Sequence, residues 1–186
     1  NEISRGMGVD MNPVTSGPKV NESLETNIEG VFACGNVLHV HDLVDYVSEE
    51  AAMAGQAAEE YVKELEEREK CAEKTDTETS ALGDGEEVPM SEGHQSLVRL
   101  SAENGVRYTV PQYLDPKHMK DQIIVRFRVD NVYKNRSISV YYDDVRIQTR
   151  KKRVMAPGEM ETVYIKKDSL SPDNIGNDIT ISIEEE

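Results

Sequence analysis

Residues 71–94 separate two parts of the chain that differ in amino-acid composition. They consist mainly of Thr, Glu, Asp, Ser and Gly, with very few large apolar side chains. A segment this polar cannot bury enough apolar surface to offset the entropy lost on ordering, so it is predicted to be an acidic linker. The chain is therefore expected to consist of one unit over residues 1–70 and a second unit over residues 95–186.

The two sides of this linker also differ in charge. Up to His94 the chain has 22 acidic and 6 basic residues, whereas after His94 it has 14 acidic and 15 basic residues. The net charge of −15 over all 186 residues argues against nucleic acid or an anionic membrane as the main partner. No apolar run approaches the length of a membrane span, and two cysteines cannot build a disulfide scaffold, so a cytoplasmic location is expected.

Strand signals dominate the second unit. Apolar residues alternate with polar or exposed ones along short runs that are separated by turn residues such as Asp143-Asp144 and Pro157-Gly158. The predicted strands are 97–100, 106–110, 123–129, 138–142, 145–147, 162–165 and 179–183. This number and spacing predict an antiparallel β-sandwich of immunoglobulin-like type that folds independently. The whole chain is then of the α+β class.

The first unit contains a predicted buried strand followed by a long helix. The strand is the apolar run 30–34, which Gly35 closes. A helix is predicted from about Leu43 to Arg68, with Asp42 as its N-cap, because apolar residues recur there at spacings of three and four. The residues of this stripe are Val44, Val47, Ala51, Ala54, Ala58, Tyr61, Val62 and Leu65.

The strand, the glycine and the Ala-rich helix together carry a family resemblance. The segment Thr26-Asn27-Ile28-Glu29-Gly30-Val31-Phe32-Ala33-Cys34-Gly35-Asn36-Val37 resembles the closing FAD-binding segment of the thioredoxin reductase-like pyridine nucleotide-disulfide oxidoreductases. These are flavoproteins with two dinucleotide-binding domains, in which a T-x(n)-G-[VI]-[FY]-A-x-G-D segment ends a strand. The resemblance covers roughly residues 1–70, and it implies that this unit is the C-terminal portion of a Rossmann-like FAD/NAD(P)-binding domain.

The resemblance also implies four cofactor-binding residues. Gly35 corresponds to the glycine that lets the backbone approach FAD, and Asn36 takes the place of the acidic residue that contacts the ribityl and pyrophosphate part. Asn36 departs from the usual Asp, so the negative charge is lost while hydrogen bonding is retained. Val44 and Asp45, at the start of the helix, would face the flavin ring through their backbone N–H groups.

An FAD site of this family also needs a strand, a G-x-G-x-x-G turn and a helix to hold the pyrophosphate. The 186 residues contain no such motif. The chain is therefore expected to be a C-terminal fragment whose partner is the missing N-terminal FAD/NAD(P) portion. The fragment alone is expected to be inactive and not to retain FAD. An exposed apolar surface is expected on residues 1–70, relieved either by self-association or by disorder.

Several side chains leave alternatives open. His39 and His41 can be loop histidines near a flavin edge, inert surface residues or a metal-binding pair, and no third ligand is evident at a credible spacing, so no metal site is predicted. The basic cluster Arg150–Arg153 is either an exposed strand or turn or a contact for an acidic surface. Cys34 and Cys71 cannot form a disulfide across the intervening helix.

Two functions follow from these expectations. In the first, the parent protein is a flavin-dependent oxidoreductase that transfers hydride between NAD(P)H and FAD and on to an unknown acceptor. In the second, residues 95–186 are a non-catalytic immunoglobulin-like module for interaction or dimerisation. The reading frame upstream of Asn1 would distinguish them, because only the first function requires a G-x-G-x-x-G turn there.

Overall fold

The computed structural model describes residues 1–75, 97–116, 118–170 and 178–185. Within these ranges the fold is α+β, with two β-sheets and one long helix. Most of the predicted linker, residues 76–94, lies outside the described residues. Residues 71–75 belong to the long helix.

The first 43 residues form an irregular segment with little regular structure. It contains a short helix α1 (Glu2–Gly6), a 3-10 turn (Gly35–Val37) and two isolated β-bridges, Met11 with Pro18 and Glu25 with Phe32. The strand predicted at residues 30–34 is thus reduced to a single bridge at Phe32. A strand needs a neighbour of similar length, and here the chain turns back on itself between Glu25 and Phe32 instead.

The helix α2 (Val44–Thr75) continues seven residues beyond its predicted end at Arg68. The additional residues include Glu, Lys and Ala, which are good helix formers, and the ion pair between Lys70 and Glu66 spans one turn. The apolar stripe is only partly covered, because Val44 and Val62 are exposed while Ala54 is buried. The buried face of α2 also includes a charged residue, Glu50, which is 1% exposed.

In the described parts of the second unit, eight strands form the two sheets. They are β1 (Val98–Ala102), β2 (Val106–Val110), β3 (Tyr113–Leu114), β4 (Gln122–Val129), β5 (Tyr133–Tyr142), β6 (Val145–Met155), β7 (Glu161–Lys166) and β8 (Asp178–Glu184). Seven of them overlap predicted strands, although β5 begins five residues earlier and β6 ends eight residues later than predicted, and the two-residue β3 has no predicted counterpart. One sheet has the order β3-β1-β8-β5-β6 and the other the order β2-β4-β7.

The expectation of a wholly antiparallel sandwich is wrong for one strand pair. β8 pairs antiparallel with β5 but parallel with β1, from Arg99 opposite Asp178 to Ala102 opposite Ile181. The last strand fills the position between β1 and β5, and strand direction in such a non-consecutive pairing is not set by a hairpin turn. The five-stranded sheet is therefore mixed.

Two apolar clusters hold the structure together. The larger one lies between the two sheets and includes Phe127 of β4, Val140 of β5 and Ile181 of β8, all fully buried. The smaller one joins the irregular segment and α2 to β2, and its buried members are Val20, Leu24, Leu38, Ala54, Tyr108 and Val110. The irregular segment is thus packed against one end of the second unit.

The basic cluster Arg150–Arg153 lies on β6, which is one of the two edge strands of the five-stranded sheet. Arg150 and Lys152 both approach the buried carboxylate of Glu161, at 3.6 and 3.0 Å. Charged side chains on an edge strand discourage pairing with another chain. Part of this cluster therefore forms an ion-pair network within the second unit.

Candidate functional site

Gly35 occupies a buried position with a left-handed backbone. Its φ is +67°, and a Cβ at this position would lie 3.2 Å from the Cγ1 atom of Val47. Its N–H group donates a hydrogen bond of 2.9 Å to Oε2 of Glu50. Glycine is therefore required here for its conformation and for its close approach to α2.

Asn36 lies at the surface and closes the loop that precedes α2. Its Oδ1 atom accepts a hydrogen bond of 3.2 Å from the backbone N–H of His41. Val44 and Asp45, at the other end of this loop, are both exposed in the first turn of α2. The structure thus places the four residues that the sequence singles out on the two ends of one short loop.

The same loop carries large apolar side chains in solvent. Val37, Val40, Leu43 and Val44 are 45, 69, 54 and 79% exposed. They are four of the eight residues from Val37 to Val44, beside the free N-terminal end of α2. A neighbouring open groove of about 260 Å³ is lined by residues of the same segment, including Thr26, Phe32, Cys34 and Val37.

Beneath this surface, two histidines converge on one buried carboxylate. Nε2 of His39 lies 3.2 Å from Oε1 of Glu50, and Nε2 of His41 lies 3.0 Å from Oε2. All three side chains are about 1% exposed. Nδ1 of His39 also faces the hydroxyl group of Tyr108 at 3.4 Å. Inert surface histidines are therefore ruled out by this arrangement.

This environment shifts the ionisation of the clustered groups. Burial by itself would raise the pKa of Glu50, but the hydrogen bond and charge of His39, the charge of His41 and the Gly35 N–H hold it below its usual range. Burial lowers the pKa of His41 in spite of the nearby carboxylate. Burial, together with the charge of Glu50, raises the pKa of the Cys34 thiol, so Cys34 is not an activated nucleophile.

Two arginines of β4 reach across to this cluster from the second unit. Nη1 of Arg126 lies 3.3 Å from Oε1 of Glu50, and its Nη2 donates a hydrogen bond of 2.6 Å to Glu49. Nη2 of Arg128 donates to the carbonyl of Val40 at 2.9 Å and to Asp42. The second unit thus holds residues 40–50 through charged contacts.

Asp42, predicted as the N-cap of the helix, serves this interface instead. One of its carboxylate oxygens accepts from Arg128, and the other accepts a hydrogen bond of 2.6 Å from the backbone N–H of Met160. Both carboxylate oxygens of Asp42 therefore accept hydrogen bonds from the second unit and connect the two units.

Glu50, Arg126 and Arg128 are site residues that the predictions from sequence do not include. A signal for Glu50 was present, because it follows Val47 by three residues and precedes Ala54 by four, and so lies on the apolar stripe of the helix. The arginines alternate with Val125 and Phe127, a pattern typical of a strand with one side in solvent. Their burial depends on what covers that side, which no local pattern reports.

Comparisons of the chain with protein-family models, with curated proteins and with solved structures found no match. Among the helices of the described ranges, none has the length and apolar character needed to cross a membrane.

Proposed function

We propose that residues 26–45 form the closing, flavin-facing segment of an FAD- and NAD(P)-dependent oxidoreductase. Gly35, Asn36 and the start of α2 at Val44 and Asp45 would contact FAD. In this proposal residues 1–70 are the C-terminal portion of a Rossmann-like domain, and polypeptide outside the 186 residues supplies the G-x-G-x-x-G turn and the nicotinamide site. The two-sheet unit is an appended immunoglobulin-like sandwich.

The observation that carries this proposal is the exposed apolar loop beside the start of α2. Exposed large apolar groups that lie close together favour an occupant, and a flavin ring is a flat apolar surface with polar edges. The first backbone N–H groups of a helix lack partners within the helix and favour negative charge at that end. Val40, Leu43 and Val44 would therefore pack against the ring system while the helix start stabilises charge on the reduced cofactor.

Of the residues proposed to contact FAD, some have polar groups that are already hydrogen-bonded within the chain and others do not. The exposed start of α2 is open to a ligand, whereas the N–H group of Gly35 is occupied by Glu50 and Oδ1 of Asn36 by His41. Gly35 would then act by allowing close approach, and Asn36 would contact FAD through its amide group. When bound, FAD would supply hydride acceptance and donation, and this chain's own residues would orient it and exclude water.

The test uses the contiguous reading frame that contains this chain and the polypeptide before it. We expect the purified protein to contain oxidised flavin and NAD(P)H to reduce it. Val44→Glu should lower flavin occupancy, whereas Val62→Glu, at another exposed valine of the same helix, should leave it unchanged. A flavin-free protein, or equal occupancy in both variants, would refute the proposal. For the 186-residue chain alone we expect at most millimolar affinity for FAD.

A second candidate, the non-catalytic interaction module, is favoured by the charged contacts of β4. Arg126 and Arg128 bind residues 40–50 of the first unit, which is a docking role without chemistry. A start codon or an unrelated domain directly upstream of Asn1 would support this candidate over the enzyme.

A further inference from the structure

We propose that His39, His41 and Glu50 form a binding site for one divalent transition-metal ion, with Zn²⁺ as the ion tested first. One possible ligand atom from each of the three side chains lies within 4.8 Å of the others. Around a tetrahedral ion with bonds of about 2.1 Å, neighbouring ligand atoms are about 3.4 Å apart. Each imidazole lies near that spacing from one carboxylate oxygen of Glu50, with Nε2 of His39 3.2 Å from Oε1 and Nε2 of His41 3.0 Å from Oε2.

The ligand types select the class of ion. Imidazole nitrogens suit Zn²⁺, Cu²⁺, Fe²⁺ and Ni²⁺, whereas Mg²⁺ and Ca²⁺ prefer all-oxygen sites. Two histidines and one glutamate are an established zinc ligand set that leaves a fourth position for water. The predicted binder is therefore a transition metal rather than a hard cation.

Proton positions at the site are compatible with metal binding. In the metal-free cluster each neutral imidazole donates its Nε2–H to Glu50. With an ion on Nε2, the proton of each ring moves to Nδ1, so binding to neutral histidines releases no proton. On His39 that Nδ1–H points at the hydroxyl oxygen of Tyr108, 3.4 Å away. Ligating histidines commonly donate their second nitrogen to such a partner, which fixes the ring.

The surrounding groups support a cation at this position. Glu49 and Glu50 carry two negative charges against one positive charge on Arg126, so with neutral histidines the cluster has a net charge of about −1. Arg126 and the N–H group of Gly35 also hold the carboxylate in place. Nδ1 of His41 is buried without a hydrogen-bond partner in the described part of the chain, so only the ring of His39 has a second contact that holds it.

The burial of all three ligands indicates a structural ion. Since their side chains are about 1% exposed, no substrate could reach the ion directly. The ion would connect the loop at residues 39–41 to the second turn of α2. It would thereby fix the loop whose outer surface carries the exposed apolar residues.

The first test is Zn²⁺ titration of the metal-free 186-residue chain by calorimetry. We expect one tight site per chain that Mg²⁺ does not compete for. His39→Asn and His41→Asn should each weaken binding by more than the 10- to 100-fold typical of losing a partner outside the ligand set. His118→Asn is the matched control, because His118 is exposed and hydrogen-bonded to Asp115, and it should bind Zn²⁺ as wild type does.

A second measurement keeps the test decisive if a variant unfolds. In nitrogen-15 spectra of the wild-type imidazoles, Zn²⁺ should shift Nε2 of His39 and His41 and convert both rings to the Nδ1–H form, leaving His118 unchanged. The proposal is overturned by absence of these shifts, by competition from Mg²⁺, or by wild-type affinity in a folded His41→Asn variant. No flavin is used, so a negative result leaves the proposed oxidoreductase function untouched.

Discussion

Glu22 couples the stability of the fold to pH in the direction opposite to most carboxylates. Its Oε2 atom accepts a hydrogen bond of 2.8 Å from the backbone N–H of Asp115, while Oε1 is buried without a partner in the described structure. Burial, reinforced by the charge of Asp115, raises its pKa from 4.5 to about 7. Glu22 therefore joins the irregular segment to the second unit as a protonated acid at mildly acidic pH.

The sign and size of the effect follow from this difference in pKa. The folded chain binds the proton more tightly, so the favourable contribution of Glu22 is fully present below pH 4.5 and is lost as the pH rises through about 7. A pKa change from 4.5 to about 7 corresponds to about 3 kcal/mol. Above pH 8 the ionised carboxylate should destabilise the fold by up to about that amount.

Glu22→Gln removes the charge and keeps an oxygen that can accept from Asp115. We expect its free energy of unfolding to match wild type at pH 4.5 and to exceed it by about 2–3 kcal/mol at pH 8.5. Urea denaturation of the 186-residue chain at both pH values measures this. Glu103→Gln, at an exposed position, should change stability equally little at both. The reasoning fails if Glu22→Gln gives the same change at pH 4.5 and pH 8.5, or is destabilising at the higher pH.

Three further predictions concern the cluster around Glu50. Gly35→Ala should lower the free energy of unfolding, measured with urea, by about 1–2 kcal/mol, because the φ of Gly35 is +67°. Gly55→Ala is the control: Gly55 lies in α2 with open space around it, so the substitution should raise the free energy of unfolding by up to about 1 kcal/mol. Equal effects of the two substitutions would contradict the left-handed conformation of Gly35. Arg126→Gln should lower the free energy of unfolding by about 3 kcal/mol or more, because the buried carboxylate of Glu50 loses its ion-pair partner. Arg99→Gln, at an exposed position, should leave the free energy of unfolding almost unchanged. Because burial lowers the pKa of His41, its contribution to stability is present above the usual histidine pKa of 6.5 and is lost as the pH falls, so acid titration of wild type should show a loss of stability below pH 6.5 that His41→Gln reduces. The lowered pKa of Glu50 adds a separate loss only below the usual carboxyl value of 4.5.

The strands could be predicted from sequence and their partners could not. Alternation with a period of two is a local property, so runs such as 123–129 identify themselves. Pairing is a property of the whole chain, and the parallel contact between β1 and β8 joins residues about 80 positions apart. The strand expected at 30–34 failed for the same reason, because a buried apolar run becomes a strand only beside another strand.

The site was predictable only where its residues are neighbours in sequence. Gly35 and Asn36 stand out because a glycine and a short polar residue close an apolar run. His39 and His41 were noticed as a pair, but Glu50 was hidden within a helix and Arg126 within a strand of the other unit. Buried ion pairs between distant segments leave no periodic signal, since each member alone resembles an ordinary surface charge.

The strand β2 contributes to both apolar clusters, which has a consequence for how the protein unfolds. Val106 belongs to the core between the sheets, whereas Tyr108 and Val110 belong to the cluster with the irregular segment and α2. Because β2 has side chains in both clusters, displacing it from one cluster would also disrupt its packing in the other. Removing residues 1–75 would open the smaller cluster and uncover Arg126, so the expectation that residues 95–186 fold independently holds only if the second unit tolerates both losses. The two units should melt as one cooperative system, although their sequences differ so clearly in charge and texture.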